Sequence, residues 1–287
     1  MTDRPADPPP AAAPEPQPVE LIFRSTRLIR SVVAVSVAVE LLLVIFDYHV
    51  NYGGLTRLGA LRRLANITRE DSLASWVGTT QTSLVALTVW WIWLVVCRTA
   101  AARWRRIGWL VVAAFFTLMA VDDGAMLHER AGTVFSELNS SDSAAGPATG
   151  LVGSSEAFPS YAWQLVALPL FVALGAFILV FLWRALPSSS LRWLVLVALT
   201  CFAVAVALDF VEGLDDDHPW NLHAHLTAAV DFGDYTEYRF GHDAFDTVVH
   251  FSKSLEEFLE MLGNTLLWYV FLRTLVGLAA DVRVRFV

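Results

Sequence analysis

Charged residues are scarce in this sequence: Asp, Glu, Lys and Arg make up 17% of its 287 residues, where soluble globular domains carry about a quarter. Cysteine is scarcer still. Cys97 and Cys201 each sit inside an apolar stretch, which excludes a disulfide framework and fits small buried hydrophobes. Missing too are the short signatures of common chemistries: there is no Gly-rich phosphate loop, G-x-S-x-G elbow or Cys-x-x-Cys. The sequence also lacks H-E-x-x-H and Glu-x-x-His, which counts against a zincin and a ferritin-like di-iron centre. No internal repeat is visible. A net charge of −8 speaks against nucleic acid as a partner.

What is present is apolar length. Hydrophobic residues reach 56% and mean hydropathy is +0.53, and they fall in blocks long enough to cross a hydrocarbon core of about 30 Å. The blocks are apolar all round rather than striped, so they read as membrane spans and not as surface helices of a solenoid. The expected fold is all-α: a polytopic transmembrane helix bundle of about six spans in contact with the lipid bilayer. The spans are expected near 30–49, 76–97, 107–128, 161–183, 192–213 and 250–273, within a single bundle covering 21–280. Residues 1–20, rich in Pro and Ala, read as a disordered tail, and 281–287 as a cytoplasmic one. In 56–67, Leu58, Leu61 and Ala65 oppose Arg57, Arg62 and Arg63, which suits a short helix on the membrane surface. The polar segments 130–160 and 214–249 read as outer loops. Trp76, Trp104, Trp109, Trp163, Trp183 and Trp193 stand near span ends, as interfacial belts favour.

Orientation follows from arginine placement. With both termini inside (N-in/C-in), thirteen of the 20 Lys and Arg lie on the inner side, as the positive-inside rule favours. Of the 28 acids, five fall inside, Glu40 lies at mid-depth and the rest gather outside or near the outer span ends. A cell membrane location, the bacterial plasma membrane, with acidic loops on the extracytoplasmic side, is the expectation.

All seven histidines fall on that same side. The third span ends with Asp122, Asp123, His128 and Glu129, and the fifth with Asp209 and Glu212. The sixth opens with His250, Glu256, Glu257, Glu260 and Asn264, and the first carries Glu40 and Asp47. At 100° per residue, Asp122 and Glu129 share a face, as do Glu40 and Asp47, while Glu257, Glu260 and Asn264 follow one stripe. Asp123 reads as solvated at its helix end. Acids at membrane depth are costly and normally face a bundle interior or a wet cavity. Arg130 and Lys253 are the only basic side chains beside the cluster, so shared protons or bound metal ions must neutralise the remainder. Carboxylate and imidazole together suit Zn, Mn or Fe; oxygen alone suits Ca. The expected ligands of a divalent metal ion are Asp122, His128, Glu129, Asp209, Glu212, His250, Glu257 and Glu260. Glu40, Asp47, Glu256 and Asn264 are further intramembrane polar groups. Asp215–Asp217, His218, His223 and His225 read as a solvated acidic loop, with a loose metal-binding cap as the sharper alternative.

The Asp122–Asp123…His128–Glu129 motif and the late Glu256–Glu257…Glu260–Met261…Gly263 motif resemble a loose set of uncharacterised bacterial multi-pass membrane proteins. That resemblance covers two short motifs and implies no activity. The zinc-binding alkaline ceramidase-like hydrolases carry a His-x-x-x-His pair that this chain lacks. Three functions stay open: a metal-dependent membrane enzyme, a proton- or cation-coupled transporter or ion pathway, and a sensor or assembly partner whose protein partners the sequence does not name.

Overall fold

A computed structural model describes residues 25–142 and 158–278; the tail expected at 1–20 and the end at 281–287 lie outside the described residues. Among the described residues all regular structure is helical. In chain order the helices are α1 (Ser25–Phe46), α2 (Gly59–Ala65), α3 (Leu73–Arg98), α4 (Arg103–Ala125) and α5 (Leu127–Asp142). They continue with α6 (Ala162–Ala185), α7 (Ser189–Glu212), α8 (Leu222–Ala229), α9 (Gly233–Phe240) and α10 (Ala244–Leu278). Six of them, α1, α3, α4, α6, α7 and α10, are long and apolar enough to cross a membrane. The protein is a multi-pass membrane protein.

The 35-residue α10 is the central post and packs against α7, α3, α1 and α8. At 1.5 Å per residue it is roughly 50 Å long, so part of it stands beyond the hydrocarbon. Close approach to α7 is possible because Gly263 has no side chain, and the Phe202 ring lies 2.8 Å from where a Cβ would sit. The apolar core fills the end rich in arginine. There Val89 and Ile92 of α3, Trp109 and Phe116 of α4, Leu182 of α6 and Phe271 of α10 are all buried. The polar side chains collect at the opposite, acidic end. Leu41, Leu42, Leu87, Val172 and Val197 remain exposed around the bundle, as a lipid-facing perimeter requires.

Local chemistry sets the boundaries. Ser72 caps α3 by accepting from Ser75 N at 3.2 Å. α1 passes into a wide π-helical turn, Asp47–Tyr52, closed by Gly53 and followed by Gly54 at φ +63°, a left-handed position natural to glycine. Leu58, just before α2, and Leu61 and Leu64 within it are exposed, while Arg62 Nε donates to the Asn51 carbonyl at 3.0 Å.

Three expectations are corrected. Segment 130–160 is not all loop, because α5 runs to Asp142 and docks on α6. Segment 214–249 holds α8, capped by Asn221, whose side chain accepts from Ala224 N at 3.0 Å. It also holds α9 and the first turns of α10; helices of eight residues are too short to show an apolar periodicity. Lastly, α4 does not continue through His128. Met126 adopts a left-handed conformation at φ 51°, which ends α4 at Ala125, and the helix restarts at Leu127. Asp122 and Glu129 therefore do not share a helical face.

Candidate functional site: an acidic cavity above a buried carboxyl

The break at Met126 builds the site. By turning the chain, it brings His128 back over the end of α4. There His128 N donates to Asp122 Oδ1 at 2.8 Å, and His128 Nδ1 lies 2.7 Å from Asp122 Oδ2. Arg130 Nε donates to the Ala125 carbonyl at 2.9 Å, so this cation serves the broken helix end. Burial pulls the His128 imidazole down, but the hydrogen bond and charge of Asp122, with Glu129 and Glu260, outweigh it and hold it above its ordinary value.

Beside this turn lies a cavity of about 80 Å³. Its wall includes Asp122, Asp123, His128 and Glu129 together with Glu257, Glu260 and Asn264 of α10. Glu70 completes it from the segment before α3, and the sequence reading had missed this acid. Partial burial and the charge of Glu129 push the Glu70 carboxyl up, against the pull of Lys253 and His128. Among the described residues the one Lys or Arg on the wall is Arg69, whose Nε donates to Asp71 at 2.8 Å. Asp123 is not merely solvated: it accepts from Thr82 Oγ1 at 2.7 Å, and Thr82 accepts from Asn264 Nδ2 at 3.1 Å.

The other expected ligands stand elsewhere. Asp209 accepts from Gln164 Nε2 at 2.7 Å. Glu212 accepts from Lys253 Nζ at 3.0 Å and Tyr161 Oη at 3.3 Å. Lys253 is the only lysine in the chain and is committed to this α7–α10 pair. Burial and the Glu212 charge push the Tyr161 hydroxyl up to about 12. Glu256 points one buried oxygen, Oε2, at no donor.

His250 belongs to a third group. Its Nε2 lies 2.8 Å from Asp47 Oδ2, which also accepts from Ser254 Oγ at 3.0 Å. Asn51 Nδ2 donates to Asp47 Oδ1 at 2.8 Å, and Tyr52 stacks on the His250 ring at 4.2 Å. With its donors satisfied, this group reads as a strut joining α1 to α10. Of the acidic loop, His223 is buried, and His225 Nε2 lies 2.8 Å from the Pro219 carbonyl. These contacts fold the loop without drawing its imidazoles together.

Deeper still sits Glu40, wholly buried. Gln81 Nε2 and Thr265 Oγ1 both donate to its Oε1, at 2.7 and 2.6 Å. Gln81 Nε2 also reaches Thr265 Oγ1 at 3.2 Å. The sequence neighbours of Gln81 and Thr265 on the same two helices are Thr82, which donates to Asp123, and Asn264, which lines the cavity. Among the described residues, no group of three His, Cys, Asp or Glu side chains is already arranged as a metal-ion cage.

Fold and site together define a six-span helical membrane protein with an acidic cavity at one end. Residues 31–275 match the family described as Domain of unknown function (DUF8692), and the chain belongs to that family. No curated protein and no solved structure matches it.

Proposed function

We propose that this protein binds a cation in the acidic cavity, with a divalent metal ion as occupant and Asp123, Glu257 and Glu260 as its principal ligands. One observation carries the reading: among the described residues, five carboxylates besides the Asp122–His128 pair line a single cavity, and its one Lys or Arg, Arg69, is already engaged by Asp71. Such a concentration of acid favours an external positive charge. Carboxylates with a nearby imidazole suit Mn, Fe or Zn, and the carboxylates alone suit Ca. Because no cage is preformed, binding draws the carboxylates inward. The acidic end is the extracytoplasmic face, on the arginine distribution, in a cell membrane.

Cavity size supports cation binding over enzymology. Organic substrates occupy pockets of roughly 300–1,000 Å³, whereas about 80 Å³ holds an ion with a few waters. Transport is the second reading, and buried Glu40 favours it, because a surface site has no use for an acid at mid-depth.

The test is elemental analysis and a Mn²⁺ titration followed by electron paramagnetic resonance on detergent-purified protein. One saturable site per chain is expected, weakened at least tenfold in E260Q and E257Q with folding intact. Metal-free protein that shows no saturable Mn²⁺ binding overturns the reading.

A further inference from the structure

Two buried atoms below the cavity lack partners in a telling combination. Glu40 Oε2 and Gln81 Oε1 meet no donor, although Glu40 is fully buried and Gln81 only 6% exposed. Both are acceptors when Glu40 is ionised, since a carboxylate has no hydrogen to give and the donors of an amide are on its nitrogen. Buried polar atoms are otherwise almost always satisfied, and the other half of each group is: Gln81 Nε2 donates to Glu40 Oε1.

A carboxylic acid and a primary amide complete each other when the amide N–H donates to the acid carbonyl and the acid O–H donates to the amide carbonyl. The first half of that ring is in place at 2.7 Å, and the two unpartnered oxygens are those the second half requires. We propose that Glu40 is a mid-membrane proton-binding site, its carboxyl protonated on Oε2 and paired in two-point fashion with Gln81. A proton needs no cavity, whereas a metal ion would need several further oxygens. The flanking helices bring no charge to it, with Gln81 facing it from α3 and Thr265 from α10. The acids on the same elements stand higher, Asp47 seven residues on along α1 and Glu260 five residues before Thr265 on α10.

This site shares no residue with the cation site, so either can fail without the other. Infrared spectroscopy of the full-length protein in lipid at neutral pH, in H₂O and D₂O, tests it. The wild-type-minus-E40Q difference is expected to show loss of one carboxylic C=O band, shifted in D₂O, that persists in E257Q. In T265V, which keeps the acid but removes the hydroxyl that donates to Oε1, the same band is expected at higher frequency. If E40Q does not fold, that T265V shift decides. Loss of a carboxylate band in E40Q, or an unmoved carboxylic band in T265V, overturns the proposal.

Discussion

Substituting Asp47 separates the strut from the ion site. Asp47 is 1% exposed. It accepts from Asn51 Nδ2 and Ser254 Oγ, has His250 Nε2 at 2.8 Å, and receives a longer contact from Ile67 N at 3.4 Å. Asp47→Ala removes the acceptor from all of them. If each of the three close donors were stranded as in a soluble core, at about 1–3 kcal/mol apiece, the loss would be roughly 3–9 kcal/mol. Interhelical hydrogen bonds in a bilayer average only about 0.6 kcal/mol, because separated helices find other partners. Two local facts favour the smaller scale. The Asn51 bond lies within the π-helical turn that follows α1, and Ser254 keeps its bond to the His250 carbonyl at 3.0 Å. The expected cost is therefore about 2 kcal/mol, read as a shift in the denaturant midpoint of the detergent-solubilised protein. Asp47→Asn keeps an oxygen for Asn51 and Ile67 and meets the other tautomer of His250, so it should cost less than about 1 kcal/mol. Mn²⁺ affinity should not change in either variant. The reasoning fails if Asp47→Ala leaves stability unaltered, or abolishes Mn²⁺ binding in a protein that is fully stable.

Burial pushes the His223 imidazole below its ordinary value, only partly opposed by Glu212. The unfolded chain takes up that proton first as pH falls below about 6.5. Stability should accordingly be lost on acidification until the lower folded-state value is passed, and melting curves of His223→Leu should lack that component. Gly132→Ala places a Cβ 2.6 Å from Trp163 N and 2.9 Å from its Cα. Backbone cannot swing aside, so the α5–α6 contact should weaken by roughly 1–3 kcal/mol. Because His128 meets the Trp163 ring at 4.7 Å, Mn²⁺ binding should weaken with it. For orientation, single cysteines at Tyr238, which is 91% exposed, and at Ser190 should be labelled from opposite sides of the membrane in a background lacking Cys97 and Cys201. Tyr238 should react from outside, and labelling of both from one side would refute the bundle's topology.

Six spans were legible in the sequence because each is an independent fact of length and hydropathy: a run of about 20 apolar residues has few alternatives in water. The expected limits lie within about six residues of the helix ends, furthest at the start of α10, Ala244. Acids were equally legible as costly residues at span ends. Helical periodicity also placed Glu257, Glu260 and Asn264 on one stripe, and the cavity wall unites them.

Grouping was not legible. Charge counts gave one cluster, whereas the fold makes separate groups, because α10 presents its polar residues to different neighbours. Glu257 and Glu260 line the cavity beside α4, Lys253 turns to Glu212 on α7, and His250 turns to Asp47 in the turn after α1. A left-handed residue at Met126 carries no sequence signature, yet it decides that Asp122 holds His128 instead of aligning with Glu129. Glu70, Gln81 and Thr265 belong to no acidic motif, and only tertiary contact shows the first at the cavity and the other two at Glu40. By itself the sequence determined that the chain lives in a membrane with its acids at one end, since those properties add residue by residue. Which acids share a cavity, and which are already satisfied by a partner, depends on helix rotation and on pairs up to 225 residues apart. Only the packed bundle decides that.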